Sequence, residues 1–467
     1  MKPEIAADWT PLDDRPGGRL KAELGPMARL AWPVVLAELG WMAMGIVDCI
    51  VVGPLGAEAT GAVGLGSNLY IAVTIFGIGV MLGLDTMVSQ EHGSGRDDEA
   101  LRSLTQGVYL AAALTLPTML AVRGLIPLLP GWGILPAVLR ETAPYLEALT
   151  WGTGPLMLYA AIRRYLQGVG IVRPITFALV SANLVNVAAC WALVYGHFGF
   201  RAMGVEGSGW ATCVARFYLA AVLVITFLAL APRGSSGTPR RWPRPEPARL
   251  GRLIALGLPA ALQITLEVGV FAFATALAGR LDAASLAAHQ IVLNVSSLTY
   301  MVPLGVASAG AVRVGQALGR GDGRGASASG WMAILIGSGF MVASGLGLLT
   351  FAGPIIGVFT QDPRVIETTR RLLLVAAAFQ VFDGVQVVAT GALRGAGDTR
   401  TPMIAILVAH WGVGLPIGYT LAFVLGRGII GLWLGLAIGL SVAGVVILAV
   451  WVKRARRLNR EKILVEA

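Results

Sequence analysis

Residues 430–452 run for 23 positions without a charged side chain. As a helix that stretch exceeds the roughly 30 Å of a bilayer's hydrocarbon core. Runs of this kind recur along the chain, and twelve candidate spans can be delimited: 27–53, 62–88, 101–123, 141–166, 174–196, 207–231, 251–280, 286–312, 329–353, 366–393, 401–425 and 430–452. Lipid offers the backbone no hydrogen-bond partners, so segments of this length and polarity must be helices. The reading is therefore an all-α membrane protein with twelve transmembrane helices. Composition agrees, since 56% of the 467 residues are hydrophobic and 13% are charged, against about 25% charged in soluble domains. The 61 glycines suit helices that pack closely in a membrane.

Twelve spans put both termini on one side. With the amino terminus inside, roughly 27 Lys and Arg fall on the inner side and about 8 on the outer. The expected organisation is a cytoplasmic tail over 1–26, six spans over 27–231, a cytoplasmic linker over 232–250, six spans over 251–452 and a cytoplasmic tail over 453–467. The linker, within APRGSSGTPRRWPRPEPARL, is rich in Pro and Arg and reads as an extended solvated loop. Its arginines explain much of the net charge of +10, so the basic balance is no sign of nucleic-acid binding. The first 25 residues lack the basic, apolar and small-residue succession of a cleaved signal, so the first span is expected to direct insertion. Cys49, Cys190 and Cys213 lie in apolar stretches and read as packing residues, without a disulfide or metal pattern.

The chain also repeats itself. Pro33, Gln90, Gly93 and Gly95 recur 226 positions later as Pro259, Gln316, Gly319 and Gly321. YLQGVGIVRP, residues 165–174, parallels ALRGAGDTRTP, residues 392–402, with one residue inserted. Six spans per half keep both halves in one orientation, related by a pseudo-twofold axis along the membrane normal with a cavity between them, which is a transporter layout.

Acidic residues inside the spans carry the chemistry. An Asp or Glu at a helix centre costs about 2.5–3.5 kcal/mol on insertion scales, so such residues usually face a cavity or a partner. Asp48 lies late in the first span. Glu267, in ITLEVGVFAF, lies about 24 Å from the cytoplasmic end of the seventh, and Asp383, in FQVFDGVQVV, about 16 Å from the inner face in the tenth. Each has a structural alternative: Asp48 touching headgroups at the outer interface, Glu267 paired with a Gln or Ser on a neighbouring helix, Asp383 capping a broken helix beside Gly384. Glu38 is a further acid deep enough to support such a site, and Asp85 reads as a helix-end residue. Asn183 and Asn186 share a helix face and could orient a carboxylate or simply bond between helices. Gln263 could contact cargo. Tyr300 reads as a packing or interface residue, His289 and His410 as buried hydrogen-bonding residues.

No nucleotide-binding G-x-x-x-x-G-K-[ST] stretch and no metalloprotease or nucleophile-elbow pattern is present. Neither an enzyme nor a cofactor is expected. A buried carboxylate needs none to trade a proton or Na⁺ for another cation, and Glu267 with Asp383 is the pair at which Na⁺ could bind. A flippase of lipid-linked oligosaccharides, of a related two-lobed fold, is the alternative reading; it calls for a cationic cavity, whereas the intramembrane charges here are mainly acidic, Arg216 being the chief exception.

From Leu24 to about Arg456 the chain resembles the multidrug and toxic compound extrusion (MATE) family. The resemblance rests on ALRGAGDTRTPM, residues 392–403, with YLQGVGIVRP, MGIVDCIVVGPLG and VSQEHGSG in support. It is nearest the NorM-like branch, on whose acidic motif positions Asp48, Glu267 and Asp383 fall. One departure is Cys190, where some members place a second asparagine after the position of Asn186. The resemblance implies two six-helix lobes forming a V, monomeric, in the bacterial inner membrane among its lipids. It implies export of amphipathic, often cationic small molecules coupled to H⁺ or Na⁺ entry. It also marks Arg394, Gly395, Gly397 and Pro402 as structural residues of the signature loop.

Overall fold

The computed structural model describes residues 18–132, 134–230 and 244–461. Among these, every regular element is helical: α1 (Gly18–Val52), α2 (Ala57–Val80), α3 (Gly83–Gly93), α4 (Asp97–Leu125), α5 (Pro136–Trp151), α6 (Thr153–Gly168), α7 (Arg173–Tyr195), α8 (Gly204–Leu230), α9 (Pro247–Ala278), α10 (Ala283–Gly319), α11 (Gly323–Thr350), α12 (Ala352–Phe359), α13 (Pro363–Gly395), α14 (Arg400–Ile406), α15 (Leu415–Tyr419) and α16 (Gly428–Glu461). Among the described residues, eleven helical stretches are long and apolar enough to cross a membrane. The fourth expected span is instead divided between α5 and α6 at Gly152. Pro155 explains the break: it has no N–H to return to the Trp151 carbonyl, and its ring crowds that turn.

Of the expected linker, residues 232–243 lie outside the described residues, as do 1–17 of the amino-terminal tail and 462–467 of the carboxy-terminal one. What is described of the linker is docked. The Gln106 side chain donates to the Arg244 carbonyl at 3.1 Å and accepts from the Glu246 N–H at 2.9 Å, and Arg249 pairs with Glu99.

The described residues form two compact units. The amino-terminal unit takes residues 36–88 and 96–261; the carboxy-terminal unit takes the remainder. In the first, α7 packs on α8, α4 on α6, and α5 on both α2 and α8, around Tyr70, Met81, Leu84, Tyr145 and Leu149. In the second, α10, α11, α13 and α16 pack on one another, and Trp433, Leu436 and Leu372 lie in its core. Small residues let these helices approach: a Cβ on Gly391 would sit 2.8 Å from the Ala307 carbonyl carbon, and one on Gly395 would sit 2.9 Å from the Ala311 Cα. That is the small-residue packing lipid-embedded helices rely on.

The repeat in the sequence is a repeat in the contacts. In the amino-terminal unit Gly79 abuts Ala261, a Cβ there lying 2.6 Å from its Cα; in the other unit Gly305 abuts Val35 in the same way, at 2.8 Å. Both residues of each pair have their counterparts 226 positions away. Within the carboxy-terminal unit the relation is reciprocal, Gly93 lying on Gln316 and Gly319 on Gln90. Gly95 and Gly321 share a φ of +74°.

Candidate ion and cation site

In the carboxy-terminal unit, α9, α10 and α13 bring polar groups together. Glu267 and Asp383 are both buried. The Gln386 amide on α13 donates to Glu267 Oε1 at 3.0 Å, and Gln263, one turn earlier on α9, and Tyr300 on α10 are hydrogen-bonded to the same carboxylate. Asp383 stands one turn before Gln386 on α13 and interacts electrostatically with Glu267. Gln380, one turn earlier again, donates to Thr299 on α10 at 2.9 Å. Residues three apart share a helix face, so Gln380, Asp383 and Gln386 form one polar stripe. That three-residue spacing was the signal in the sequence for Gln386 and Gln380, which sequence reasoning missed. Tyr300 is corrected from a packing residue to a hydrogen-bond partner of an acid.

The alternatives resolve differently. Helix α13 continues through Asp383 and Gly384, so no broken end is there to cap, and Gly384 instead seats Met341 of α11. Glu267 does bond glutamines, on its own helix and on a neighbour, yet neither it nor Asp383 has an ion-pair partner among the described residues.

In the amino-terminal unit Asp48 is 2% exposed, which removes the headgroup alternative. Thr212 donates to its Oδ2 at 2.7 Å and the Cys190 thiol to its Oδ1 at 3.4 Å. Asn186 is hydrogen-bonded to the same carboxylate, and its own Oδ1 is buried without a partner. Cys190 is thus more than packing: it serves the acid at the position where the resemblance leads one to expect an amide. Asn183 does not join the cluster, because its amide is spent on the Gly40 and Leu179 carbonyls at 2.9 and 2.8 Å. Arg216 also acts electrostatically on Asp48. It lies 4.3 Å over the Tyr70 ring and donates to the Leu149 carbonyl at 3.3 Å, at the turn that Pro155 distorts.

Glu38 is corrected from a supporting site residue to half of a buried ion pair with Arg163. Asp85 is a helix-end residue as expected, in the first turn of α3, and it is buried there, 1% exposed and 3.5 Å from Arg164. His289 hydrogen-bonds as expected: the Trp433 indole donates to its Nδ1 at 3.0 Å and Thr275 Oγ1 lies 2.8 Å from Nε2. An indole only donates, so Nδ1 is the acceptor and the ring is neutral. His410 is buried, with the Ile406 backbone one turn earlier acting on its ring.

The signature loop is structural in its geometry. Arg394 is buried, and the Gly395 carbonyl accepts from Gln90 at 3.0 Å. Gly397 takes φ +84°, which lets the Asp398 N–H return to the Leu393 carbonyl at 2.9 Å and close α13 as a left-handed glycine does. Asp398 then accepts from the Thr401 N–H at 3.0 Å, and Pro402 is buried in the first turn of α14.

The MatE family model matches residues 33–192 and again 259–420, two stretches whose starts are 226 positions apart. The chain belongs to the MatE family. Among its relatives, the probable multidrug resistance protein NorM of Mesorhizobium japonicum is 37% identical, covering 93% of this chain and 95% of the relative. The multidrug resistance protein PmpM of Pseudomonas aeruginosa is 34% identical, covering 95% and 94%. A solved structure of the eukaryotic MATE transporter AtDTX14 superposes with a TM-score of 0.85 at 20% identity, over 95% of this chain and 100% of that one. A MATE family transporter of the MOP superfamily solved in an outward-facing conformation gives 0.83 at 19%, over 93% and 96%. The fold is that of MATE transporters.

Proposed function

We propose that this MatE family member is a secondary active exporter of amphipathic, mostly cationic small molecules. It works by antiport with H⁺ or Na⁺ through alternating access. The observation that carries the reading is the Glu267–Asp383 pair, two buried acids side by side with no ion-pair partner among the described residues. Such a pair is costly unless a cation joins it. A cationic cargo, Na⁺ and protons are then competitors for the same negative charge. Ion entry from outside discharges the cargo, and cargo arriving from inside discharges the ions. Glu267, Asp383 and the unpartnered Gln386 Oε1 offer oxygen ligands suited to a hard monovalent cation. Asp48 with Asn186 forms a second ion site in the amino-terminal unit. We place the protein in the bacterial inner membrane as a monomer with both termini cytoplasmic. Its halves are the six-span repeats read at 27–231 and 251–452.

The test is efflux from proteoliposomes, with a pH gradient and a Na⁺ gradient imposed separately, following a fluorescent organic cation beside a neutral analogue. Either gradient should drive the cation against its own concentration difference. Equal leakage of both compounds, indifferent to both gradients, would sink the reading.

A further inference from the structure

The expected carboxy-terminal tail begins at 453, yet α16 continues through it to Glu461. The continuation is packed on one side only. Trp451, Ala455 and Leu458 are buried, at four- and three-residue steps that share a helix face. Trp451 lies on Gly330 of α11, and a Cβ on Gly323, at the start of α11, would sit 3.2 Å from the Leu458 carbonyl carbon. These contacts hold the last turns of α16 in one orientation. On the exposed side, Val442, Val446 and Ala449 are followed at the same spacing by Lys453, Arg456, Arg457 and Arg460. One continuous stripe is thus apolar as far as Ala449 and cationic from Lys453 onward. The apolar part faces acyl chains, so the cationic part faces what lies beyond them. Lys453 is the first charge after the apolar run 430–452, and Arg460 stands about 10 Å further along the axis. The headgroup layer on each side of the hydrocarbon core is about 5–8 Å thick, so the stripe crosses it. Among the described residues no acid pairs with any of the four cations. The helix dipole favours cations only in the last turn, which leaves Lys453 and Arg456 without a reason to be there.

We propose that the exposed face of α16 from Lys453 to Arg460 is a docking surface for the headgroups of anionic phospholipids, in the leaflet around the carboxy-terminal end of that helix. Phosphodiester oxygens accept from the guanidinium forks of Arg456, Arg457 and Arg460 and from the Lys453 ammonium. The acyl chains lie along Val442, Val446 and Ala449. A soluble phosphate has no use for the apolar half of the stripe. A phosphatidylcholine headgroup offsets its phosphate with a cation of its own. A lipid with a net negative headgroup matches both halves. Because packing on α11 already fixes the helix, binding has only side chains to order, which keeps its entropic cost low. The surface is separate from Glu267, Asp383 and Asp48 and does not rest on the transport reading.

The experiment is native mass spectrometry of the purified full-length protein, released from micelles containing dioleoyl phosphatidylglycerol and dioleoyl phosphatidylcholine in equal amounts. The wild type should retain phosphatidylglycerol in preference to phosphatidylcholine. Each of Lys453→Gln, Arg456→Gln, Arg457→Gln and Arg460→Gln should weaken phosphatidylglycerol binding by about fivefold, the scale of one cation at an anionic surface. The four together should abolish the preference. Arg280, Arg364, Arg370 and Arg427 are exposed elsewhere in the same unit. Replacing those four by Gln removes the same charge and should leave the preference at its wild-type level. A wild type without a preference, a wild-type preference in the quadruple α16 variant, or an equal loss in the control overturns the docking surface. So does displacement of the bound lipid by millimolar glycerol phosphate, which would mark a site for soluble phosphate. If the quadruple variant fails to fold, the single variants carry the test, and no loss in any of them is an equally adverse result.

Discussion

Glu267 and Gln386 in the carboxy-terminal unit have counterparts in the amino-terminal one: Trp41 lies 226 positions before Glu267, and Tyr159 lies 227 before Gln386, the offset of the fourth and tenth spans. Where one unit has a carboxylate hydrogen-bonded to an amide, the other has two aromatic rings stacked 6.2 Å apart and 8° from parallel. The reverse holds for Asp48, whose counterpart is the buried Ala274. The scaffold was therefore kept twice, as the paired contacts of Gly79 and Gly305 show, while the chemistry was placed independently in each copy. Buried acids also fall into two kinds. Glu38, Asp85 and Glu23 each stand against an arginine, Arg163, Arg164 and Arg313, the first two in the amino-terminal unit and Glu23 in the carboxy-terminal one. Glu267 and Asp383 have no ion-pair partner among the described residues. An acid matched by an arginine belongs to the architecture, and one without such a match is the candidate for exchange.

This contrast is sharpest in two substitutions of the same chemical kind. Glu267→Gln should reduce gradient-driven efflux to background in proteoliposomes while thermal unfolding in detergent stays close to the wild type, because the amide still fits among Gln386, Gln263 and Tyr300. Wild-type efflux by that variant would erase the distinction between the two kinds of acid. Glu38→Gln should do the opposite and act first on stability, since it strands Arg163 as an unpaired buried cation, at a cost of about 3–5 kcal/mol. Replacing both partners, Glu38→Leu with Arg163→Met, should recover most of that loss. A double variant no more stable than the single one would mean that the pair does more than neutralise itself.

The helices were legible because charge-free runs of this length admit one structure in lipid. The break at Gly152 was not, because Pro155 interrupts a helix without interrupting its hydropathy. Asp48, Glu267 and Asp383 stood out because a carboxylate in an apolar run is expensive enough to need a reason. Their partners did not stand out. Thr212, Cys190, Gln386 and Tyr300 are cheap enough in membrane helices to pass as packing, and what gives them a role is an acid on another helix, more than 100 residues away in sequence for the first three. Glu38 was misjudged for the same reason, Arg163 being 125 positions away. For Asp383 the flanking glutamines at three-residue spacing were readable and define the stripe; for Asp48 no comparable local spacing exists, since its donors come from α7 and α8.

If the two copies of the scaffold are equivalent, their glycine contacts should respond equally. Gly79→Val and Gly305→Val each force a side chain against a neighbouring backbone and should cost about 1–3 kcal/mol of overpacking. The two losses should match, and unequal unfolding midpoints would show that the repeat survives in sequence more than in packing. The smallest effect concerns a position where the copies differ at a helix start. Asp282 caps α10, its Oδ1 accepting from the Ser285 N–H at 2.9 Å and its Oδ2 from the Ser285 hydroxyl at 2.6 Å. Its counterpart before α2 is Gly56, without a side-chain cap. Asp282→Ala should cost about 1 kcal/mol, and Asp282→Gly, which copies the other unit, only a few tenths. The Ser285 donors hold the Asp282 carboxyl below its usual range. A depressed folded-state value places the contribution above the unfolded pKa of about 3.9 and removes it as pH falls through the folded value. Unfolding midpoints of the wild type and Asp282→Ala should therefore differ at pH 7 and converge in acid. A gap that persists unchanged into acid would assign the effect to the backbone at Asp282 and not to its charge.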